Sequence, residues 1–421
     1  MRLNLVSRLN VALRLNVILF LMAVVIFMSN TVSAAIELTD ERATPEYWTA
    51  KLSDGDEIIL SARDISNLNA QIKAGDTYAA ELSLYPTKIS AEKLRERILK
   101  ANAAVHVDND ANQNLDALTE EVAVSYAVTM ERVNVRLLPK EWSGDDFDDL
   151  QGTALDPCEP VVVLWESADK KYFFVQARNY FGWIDKSKLA MTTREHWLKY
   201  VNPKNFIVVT ANKKAVNVGG QNILFQMGAV IPLHDRAEDG DFWLVKIPAQ
   251  VGDKIHEQAV KIAKDNTVHK GFLPCTKNNF IRQSFKFLGD VYGWGGLKDS
   301  VDCSAFTSDI YRSMGIEIPR DADRQFKLMP HVATFGSEDF DARIKILQQS
   351  PTGALLLKRG HVLMLLGNDS NGTPIAIHAA SSYYLDDKKI YVSKVLVSAM
   401  DYPNDYGVST VNALLGVNFV K

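Results

Sequence analysis

One stretch of the chain decides the fold of its C-terminal part: residues 292–315, which read YGWGGLKDSVDCSAFTSDIYRSMG. Apolar residues recur every four positions from Phe306 to Met314, ahead of a glycine, and this spacing predicts a helix that begins at Cys303. Asp302 is then the N-cap. Because free N–H groups and the positive end of the helix dipole surround the first turn, we expect the pKa of the Cys303 thiol to be low.

Three glycines lie within Tyr292–Gly296, shortly before this helix. Glycine allows close approach of the backbone, so we expect N–H groups of this loop to be available to bind an oxyanion. A buried and unreactive Cys303 is the alternative interpretation, because free cysteine often behaves as a small buried hydrophobe.

Two of the eight histidines, His361 and His378, flank the turn-rich residues 368–371, which read NDSN. If a four-residue hairpin loop there pairs Gly367 with Gly372, the two rings lie directly opposite each other on one face of the sheet. One imidazole could then take the thiol proton while the other orients it. The remaining histidines lie in polar or loop-like segments without an assignable partner: His106, His196, His234, His256, His269 and His331.

Other interpretations of Cys303, His361 and His378 remain open at this point. The three could bind zinc, although typical zinc sites have ligands in closely spaced pairs. They could also be a buried cysteine and two structural histidines without any chemistry. We expect neither a metal nor a cofactor.

The composition is that of an ordinary globular protein. The 421 residues are 47% hydrophobic and 23% charged with a net charge of −4, which disfavours a disordered chain or a nucleic-acid partner. Three cysteines are too few for a disulfide scaffold. Cys158 and Cys275 could pair after export, which would leave Cys303 as the free thiol.

The first 34 residues have the pattern of a secretory signal peptide. Three arginines precede an apolar run at 17–28, and small residues follow up to a cleavage site after Ala34. The run is too short to cross a hydrocarbon core of about 30 Å, and no lipidation cysteine follows it. We expect an exported protein, periplasmic or secreted, without a transmembrane span. A buried or interfacial helix is the alternative.

The periodicity divides the rest of the chain into four parts. Residues 35–120 are irregular and mainly helical, and residues 121–195 and 196–275 each contain short β-rich runs typical of a small barrel. Residues 276–421 begin with helices and continue with strands, which predicts an α+β domain. We therefore expect a multidomain fold in which two small barrels precede an α+β core.

The C-terminal part resembles the NlpC (p-sixty) family of bacterial cell-wall cysteine peptidases, whose core is papain-like α+β. The matching motifs are Tyr292-Gly-Trp-Gly-Gly, Asp302-Cys303-Ser304, Gly315-Ile-Glu-Ile-Pro-Arg320 with Gln325, His361-Val362 and His378. Ala305 departs from the glycine that many members have after Asp-Cys-Ser.

The resemblance implies roles for individual residues. Cys303 would be the nucleophile, His361 the base, His378 the orienting residue and Tyr292 a residue close to the oxyanion. The family cleaves amide bonds in peptidoglycan stem peptides, commonly between D-glutamate and the following diamino acid.

The preceding segments resemble a subgroup with two bacterial SH3-like domains ahead of the peptidase. The matching segments include Tyr47-Trp48, Leu84-Tyr85-Pro86, Val135-Arg-Leu-Leu-Pro139 and Tyr180-Phe-Gly-Trp-Ile184. In that subgroup the first barrel helps to recognise a free N-terminal L-alanine. Asp302 and Ser304, with Tyr180 from the barrel, would bind this amine.

Taken together, these motifs predict a hydrolase that cleaves the γ-D-glutamyl to diaminopimelate amide of stem peptides or muropeptides through a thioester. Acyl transfer to an amine in place of water would use the same residues. A non-catalytic protein that binds the cell wall through its SH3-like domains is the alternative from another functional class.

Overall fold

The computed structural model describes residues 37–107, 110–252, 254–385, 388–400 and 408–420. The predicted signal peptide, residues 1–34, lies outside these ranges. Among the described helices, none is long and apolar enough to cross a bilayer. The helices are α1 (Pro45–Thr49), α2 (Ala62–Gly75), α3 (Ala91–Ala103), α4 (Arg194–Val201), α5 (Lys277–Phe285), α6 (Cys303–Ser313), α7 (Ala322–Leu328), α8 (Phe340–Gln349) and α9 (Thr410–Ala413).

The strands fall into three groups along the chain. The first group is β1 (Lys88–Ser90), β2 (Glu121–Ala123), β3 (Ser125–Thr129), β4 (Val133–Arg136), β5 (Gln151–Leu155), β6 (Pro160–Glu166), β7 (Tyr172–Gln176), β8 (Phe181–Asp185) and β9 (Leu189–Thr192). The second is β10 (Phe206–Val209), β11 (Lys213–Val218), β12 (Gln221–Gln226), β13 (Val230–Asp239), β14 (Phe242–Val251), β15 (Lys254–Ala263) and β16 (Val268–Lys270). The third is β17 (His331–Thr334), β18 (Leu355–Lys358), β19 (His361–Asn368), β20 (Pro374–Leu385), β21 (Lys388–Ala399) and β22 (Leu414–Asn418).

The N-terminal helices divide between two hydrophobic cores. Trp48 of α1 and Leu68 and Ile72 of α2 are buried in the core of the C-terminal domain. Leu94 and Ile98 of α3 are buried in the core of the β domains. The N-terminal segment therefore ties the β domains to the C-terminal domain.

Two β domains follow. The first is a seven-stranded antiparallel sheet with the order β5-β4-β8-β7-β6-β3-β9. The second combines a five-stranded sheet, β15-β14-β13-β10-β16, with the separate hairpin β11-β12. The sequence pattern did not predict β15, because its ten residues, KIHEQAVKIA, include several polar side chains and resemble no buried strand.

The C-terminal domain is α+β. Its six-stranded antiparallel sheet has the order β17-β22-β18-β19-β20-β21, and α6 packs across β19 and β20. The helix spans Cys303–Ser313 with Asp302 as its N-cap, and Gly315 follows in the left-handed region at a φ of 80°. The predicted fold class, β domains ahead of an α+β core, is confirmed.

The predicted register of the β19-β20 hairpin is wrong. The loop has five residues in place of four, and Asn368 pairs with Pro374, which is three residues away from the predicted register; a bulge between Leu365 and Gly367 then reverses one residue of this shift. The net offset from the prediction is two residues. Because side chains alternate between faces with a period of two, His361 and His378 still lie on the same face, as diagonal neighbours.

The sequence left open whether Cys158 pairs with Cys275, and in the structure all three cysteines are free thiols. Cys158 is buried in the core of the β domains, whereas Cys275 is buried in the core of the C-terminal domain. Each sulfur is surrounded by the packing of its own core, and a bridge would require both to move.

The glycine loop before α6 packs directly against the first β domain. Gly295 and Gly296 have φ values of 58° and 87°. A Cβ on Gly295 would lie 2.5 Å from Cγ of Gln151, and Gln151 Nε2 donates a hydrogen bond of 3.0 Å to the Gly295 carbonyl. This loop therefore needs glycine both for its backbone conformation and for its close approach to β5.

We predict that Gly295→Ala destabilises the protein more than Gly240→Ala. Both glycines have a φ of 58°, so both variants incur a left-handed backbone cost of about 1–2 kcal/mol. Only Gly295 faces another residue, because no atom lies within 4 Å of a Cβ on Gly240. Overpacking against Gln151 should add about 1–3 kcal/mol. Thermal unfolding followed by circular dichroism measures the difference, and equal losses of Tm would show that the loop does not depend on this contact.

Candidate active site

Cys303 is the first residue of α6 and is buried, with 8% of its surface exposed. Asp302 caps the helix by accepting a hydrogen bond of 2.8 Å from the Ala305 N–H. The backbone N–H of Val362, the residue after His361, faces the sulfur. The start of β19 therefore lies against the N-terminus of α6, so Cys303 and His361, the first residues of these two elements, lie on the same side of the domain.

The prediction of a low thiol pKa is wrong for the free protein. Burial, followed by the negative charge of Asp302, raises the pKa of Cys303 to about 12. The N–H groups of Val362 and Ser304 act in the opposite direction but do not outweigh burial. Cys303 is therefore a neutral thiol at neutral pH, and it needs a base to become a nucleophile.

His361 and His378 are joined by a hydrogen bond. Nε2 of His361 lies 2.8 Å from Nδ1 of His378, and Nε2 of His378 lies 3.2 Å from Oγ of Ser398. Ser398 is fully buried on β21. The sequence pattern did not identify it, because β21 was not predicted. The only signal in the sequence was a serine on a segment that could form the strand next to that of His378.

Burial keeps both rings neutral. It lowers the pKa of His361 well below 6.5, and the positive charge of a protonated His378 would lower it further. Burial likewise lowers the pKa of His378 to about 3. If His361 Nε2–H donates to His378 and His378 Nε2–H donates to Ser398, Nδ1 of His361 carries a lone pair and can accept a proton.

Asp302 forms a buried ion pair with Arg320. The two guanidinium NH groups of Arg320 donate to the two carboxylate oxygens, at 3.1 and 2.7 Å. The Gly295 N–H and the Ser304 hydroxyl donate to the same carboxylate, at 3.0 and 3.2 Å. When the N-cap bond from Ala305 is included, both carboxylate oxygens of Asp302 accept hydrogen bonds from the protein, and neither is left for a substrate amine.

The three glycine N–H groups of the loop, which the sequence suggested for oxyanion binding, already have acceptors within the protein. The N–H of Gly295 donates to Asp302, that of Gly293 donates to the Val301 carbonyl and that of Gly296 donates to the Gly293 carbonyl. Tyr292 remains at the site. Burial, followed by the charge that the Cys303 sulfur can carry, raises the pKa of the Tyr292 hydroxyl, which therefore stays a hydrogen-bond donor.

A cavity of about 720 Å³ opens beside Cys303. Tyr292, Asp302 and Ser304 line it from the C-terminal domain, and Tyr180 lines it from the first β domain. The structure thus brings these four predicted residues to the same cavity as the cysteine. Tyr78 from the N-terminal segment and Arg324 from α7 also line it, and the sequence pattern singled out neither.

The described side chains were compared with the ligand sets that metal ions require. Within the described ranges, no three side chains of His, Cys, Asp or Glu are grouped closely enough to hold a metal ion.

We predict that His378→Gln flattens the dependence of stability on pH below neutrality. An unfolded histidine binds a proton below about pH 6.5, whereas buried His378 does not bind one until about pH 3. Between these values, the free energy of unfolding of the wild type falls by about 1.4 kcal/mol for each pH unit of acidification because of this residue. Urea unfolding between pH 6.5 and 4.5 should give a shallower slope for the variant. His256→Gln, on the exposed side of β15, is the control, and parallel slopes for wild type and His378→Gln would contradict a buried neutral ring.

Two family models match the chain. The model of the NlpC/P60 family matches residues 289–393, and the model of an SH3 domain of the SH3b1 type matches residues 138–185. A curated relative, the gamma-D-glutamyl-L-lysine dipeptidyl-peptidase of Bacillus subtilis (strain 168), is 30% identical over 156 residues. The match covers 36% of this chain, and the chain spans about half, 46%, of the relative's length.

Two solved structures share the fold. An NlpC/P60 endopeptidase from Photobacterium damselae subsp. piscicida has a TM-score of 0.70 at 16% identity, covering 91% of this chain and 98% of the other. An NlpC/P60 family protein from Bacillus cereus ATCC 10987 has a TM-score of 0.52 at 18% identity, covering 70% of this chain and 99% of the other. The chain therefore contains an SH3 domain of the SH3b1 type at residues 138–185, ahead of an NlpC/P60 domain at residues 289–393 that carries Cys303.

Proposed function

We propose that this protein is a cysteine peptidase that hydrolyses the γ-D-glutamyl to diamino acid amide of peptidoglycan stem peptides. Cys303 is the nucleophile, His361 the general base and acid, and His378 the residue that orients His361. The observation that carries the proposal is the hydrogen-bonded chain His361–His378–Ser398 beside a buried cysteine at a helix N-terminus.

The protonation states support a base-assisted attack. A neutral thiol with a pKa near 12 faces a neutral imidazole, so the proton moves to Nδ1 of His361 as sulfur attacks the carbonyl carbon. The C–S bond forms while the carbonyl π electrons move to oxygen. Protonated His361 then gives its proton to the leaving amine nitrogen, and the C–N bond breaks to leave a thioester.

Water completes the reaction. His361 takes a proton from water as its oxygen attacks the thioester carbonyl, and the Cys303 sulfur leaves and recovers a proton from His361. The products are a free γ-carboxylate and an amine. We propose that the oxyanion of both tetrahedral states accepts hydrogen bonds from the Tyr292 hydroxyl and from the N–H of Cys303 at the start of α6.

The match to the NlpC/P60 family and the name of the Bacillus subtilis relative support the proposed substrate class. That relative acts on a γ-D-glutamyl-L-lysine bond, and we extend the chemistry to diaminopimelate, which presents the same backbone amine to D-glutamate. We propose short stem peptides with a free N-terminal L-alanine as substrates. The cavity supports this, because the first β domain contributes Tyr180 to its wall and so limits the room beyond the cleft.

We propose that the protein meets this substrate outside the cytoplasm. The pattern of residues 1–34 supports export and cleavage after Ala34. A mature N-terminus at Ala35, read by mass spectrometry of protein recovered from the periplasm or the medium, would agree with this. A protein that keeps Met1 would contradict it.

We predict that Cys303→Ala abolishes cleavage of L-Ala-γ-D-Glu-diaminopimelate and leaves the fold intact. The substitution removes the nucleophile but only one buried sulfur atom, so the Tm should change little. Mass spectrometry of the products measures cleavage. Turnover by a folded Cys303→Ala would refute the assignment, and binding of wild type to intact sacculi without any cleavage would favour a non-catalytic wall-binding protein.

We predict that Ser398→Ala lowers kcat about tenfold or more while KM changes little, because Ser398 acts through His378 and does not reach the cavity. Ser398→Thr keeps the hydroxyl and should restore part of the rate. Steady-state kinetics on the same tripeptide separates the two parameters. An increase in KM alone would indicate that Ser398 affects substrate binding and not the orientation of the imidazole.

A further inference from the structure

Strand β21 contains a bulge where it passes the active site. Along the β20-β21 pair, Ala380 lies opposite Lys394 and Ser382 lies opposite Tyr391. β21 therefore has one more residue than β20 over this stretch. The bulge includes Ser393, which has a φ of 44°. Residues other than glycine rarely adopt this left-handed conformation, and inside a strand it persists only where the surrounding structure holds it.

The bulge contacts the segment that leads to Tyr292. The Tyr292 N–H donates a hydrogen bond of 2.8 Å to the Ser393 carbonyl. Closer to the start of this segment, the Val395 N–H donates a hydrogen bond of 2.9 Å to the Asp290 carbonyl. Residues 289–292 therefore form a short extra strand on the outer edge of β21, and the Ser393 carbonyl holds the last residue of that strand.

The hydroxyl of Tyr292 is held by no hydrogen bond within the part of the chain that the structure describes. The residue is buried and lines the cavity beside Cys303. Its ring lies 6.1 Å from that of Phe147, centroid to centroid. Because no partner fixes the hydroxyl directly, its position depends on this ring contact and on where the backbone of Tyr292 lies.

The side chain of Ser393 has no part in these contacts. Within the described ranges its hydroxyl makes no hydrogen bond, and the residue does not line the cavity. The contribution of Ser393 is its backbone, which adopts the left-handed conformation while its carbonyl faces Tyr292. Glycine and asparagine accept this conformation readily, whereas a β-branched residue is strongly disfavoured in it.

We propose that Ser393 is a positioning residue whose left-handed backbone places the Tyr292 hydroxyl beside the sulfur of Cys303. The inference rests on the proposed function, in which this hydroxyl donates to the oxyanion. Such a donor is effective only when it already lies in position before the reaction. A small displacement of Tyr292 should therefore slow the chemical step and leave binding of the peptide unchanged.

Ser393→Val tests the proposal, because a β-branched residue disfavours a φ of 44°. On L-Ala-γ-D-Glu-diaminopimelate, we expect kcat to fall about tenfold and KM to change by less than about twofold. Ser393→Gly and Ser393→Asn accept this φ and should keep the wild-type rate. A loss of kcat in Ser393→Gly as large as that in Ser393→Val would assign the effect to the side chain and overturn the proposal.

Ala237→Val is the matched control. Ala237 has a φ of 51° in an irregular stretch of β13, is half-buried like Ser393, and belongs to the second β domain. Thermal unfolding should show a loss of Tm for both valine variants, whereas only Ser393→Val should lose kcat. Equal losses of kcat would show that the effect comes from general destabilisation, and this would contradict the proposal.

A double-mutant cycle with Tyr292→Phe measures whether the two residues act together. If Ser393 acts through the Tyr292 hydroxyl, Ser393→Val should lower kcat about tenfold in the wild type and less than about twofold in Tyr292→Phe. Equal losses of kcat in the two backgrounds would show that Ser393 acts by another route, which would overturn the proposal.

Hydrogen exchange at the Tyr292 amide separates this inference from the proposed function. Mass spectrometry with residue-level fragmentation should show faster exchange at this amide in Ser393→Val than in the wild type or Ala237→Val, because its acceptor is displaced. If the wild type cleaves no stem peptide, the proposed reaction fails, and faster exchange confined to Tyr292 still supports the positioning contact. Unchanged exchange in Ser393→Val overturns it.

Discussion

The buried ion pair between Asp302 and Arg320 is the interaction on which the site depends. It joins the N-terminus of α6, the glycine loop and the chain leading into α7, and Arg320 Nε also donates a hydrogen bond of 2.7 Å to Thr153 in the first β domain. A buried pair is seldom a large net source of stability, but removing one partner leaves an unpaired charge at a cost of about 3–5 kcal/mol. Its role here is to fix where the cysteine lies relative to the β domain.

This arrangement has a chemical consequence. Burial and, after it, the charge of the carboxylate that caps α6 raise the pKa of the adjacent thiol, so the helix N-terminus does not by itself yield a thiolate. In the proposed mechanism, a neutral thiol and a neutral imidazole form charges only as the substrate carbonyl is attacked. Hydrogen bonds that orient the imidazole through His378 and Ser398 then matter more than a preformed ion pair.

The sequence predicted α6, its N-cap and the pairing of two histidines on one face, because each depends on residues close together in the chain. The bulge near Leu366 and the five-residue loop could not be predicted, yet their net offset was even and the histidines still met. Ser398 was missed because strand β21 was not predicted, and Arg324 was missed because distant segments of the chain form the cavity that it lines. The prediction of a low pKa for the Cys303 thiol was wrong because burial depends on the packed fold and not on the local sequence.

Trapping of the covalent intermediate tests the central claim most directly. The protein is mixed with L-Ala-γ-D-Glu-diaminopimelate, quenched in acid within milliseconds and mapped by peptide mass spectrometry. The expected result is a transient L-alanyl-γ-D-glutamyl group on Cys303, with release of diaminopimelate before the dipeptide. Turnover with no acyl group on the protein, or with an acyl group on a residue other than Cys303, would contradict a thioester mechanism at this site.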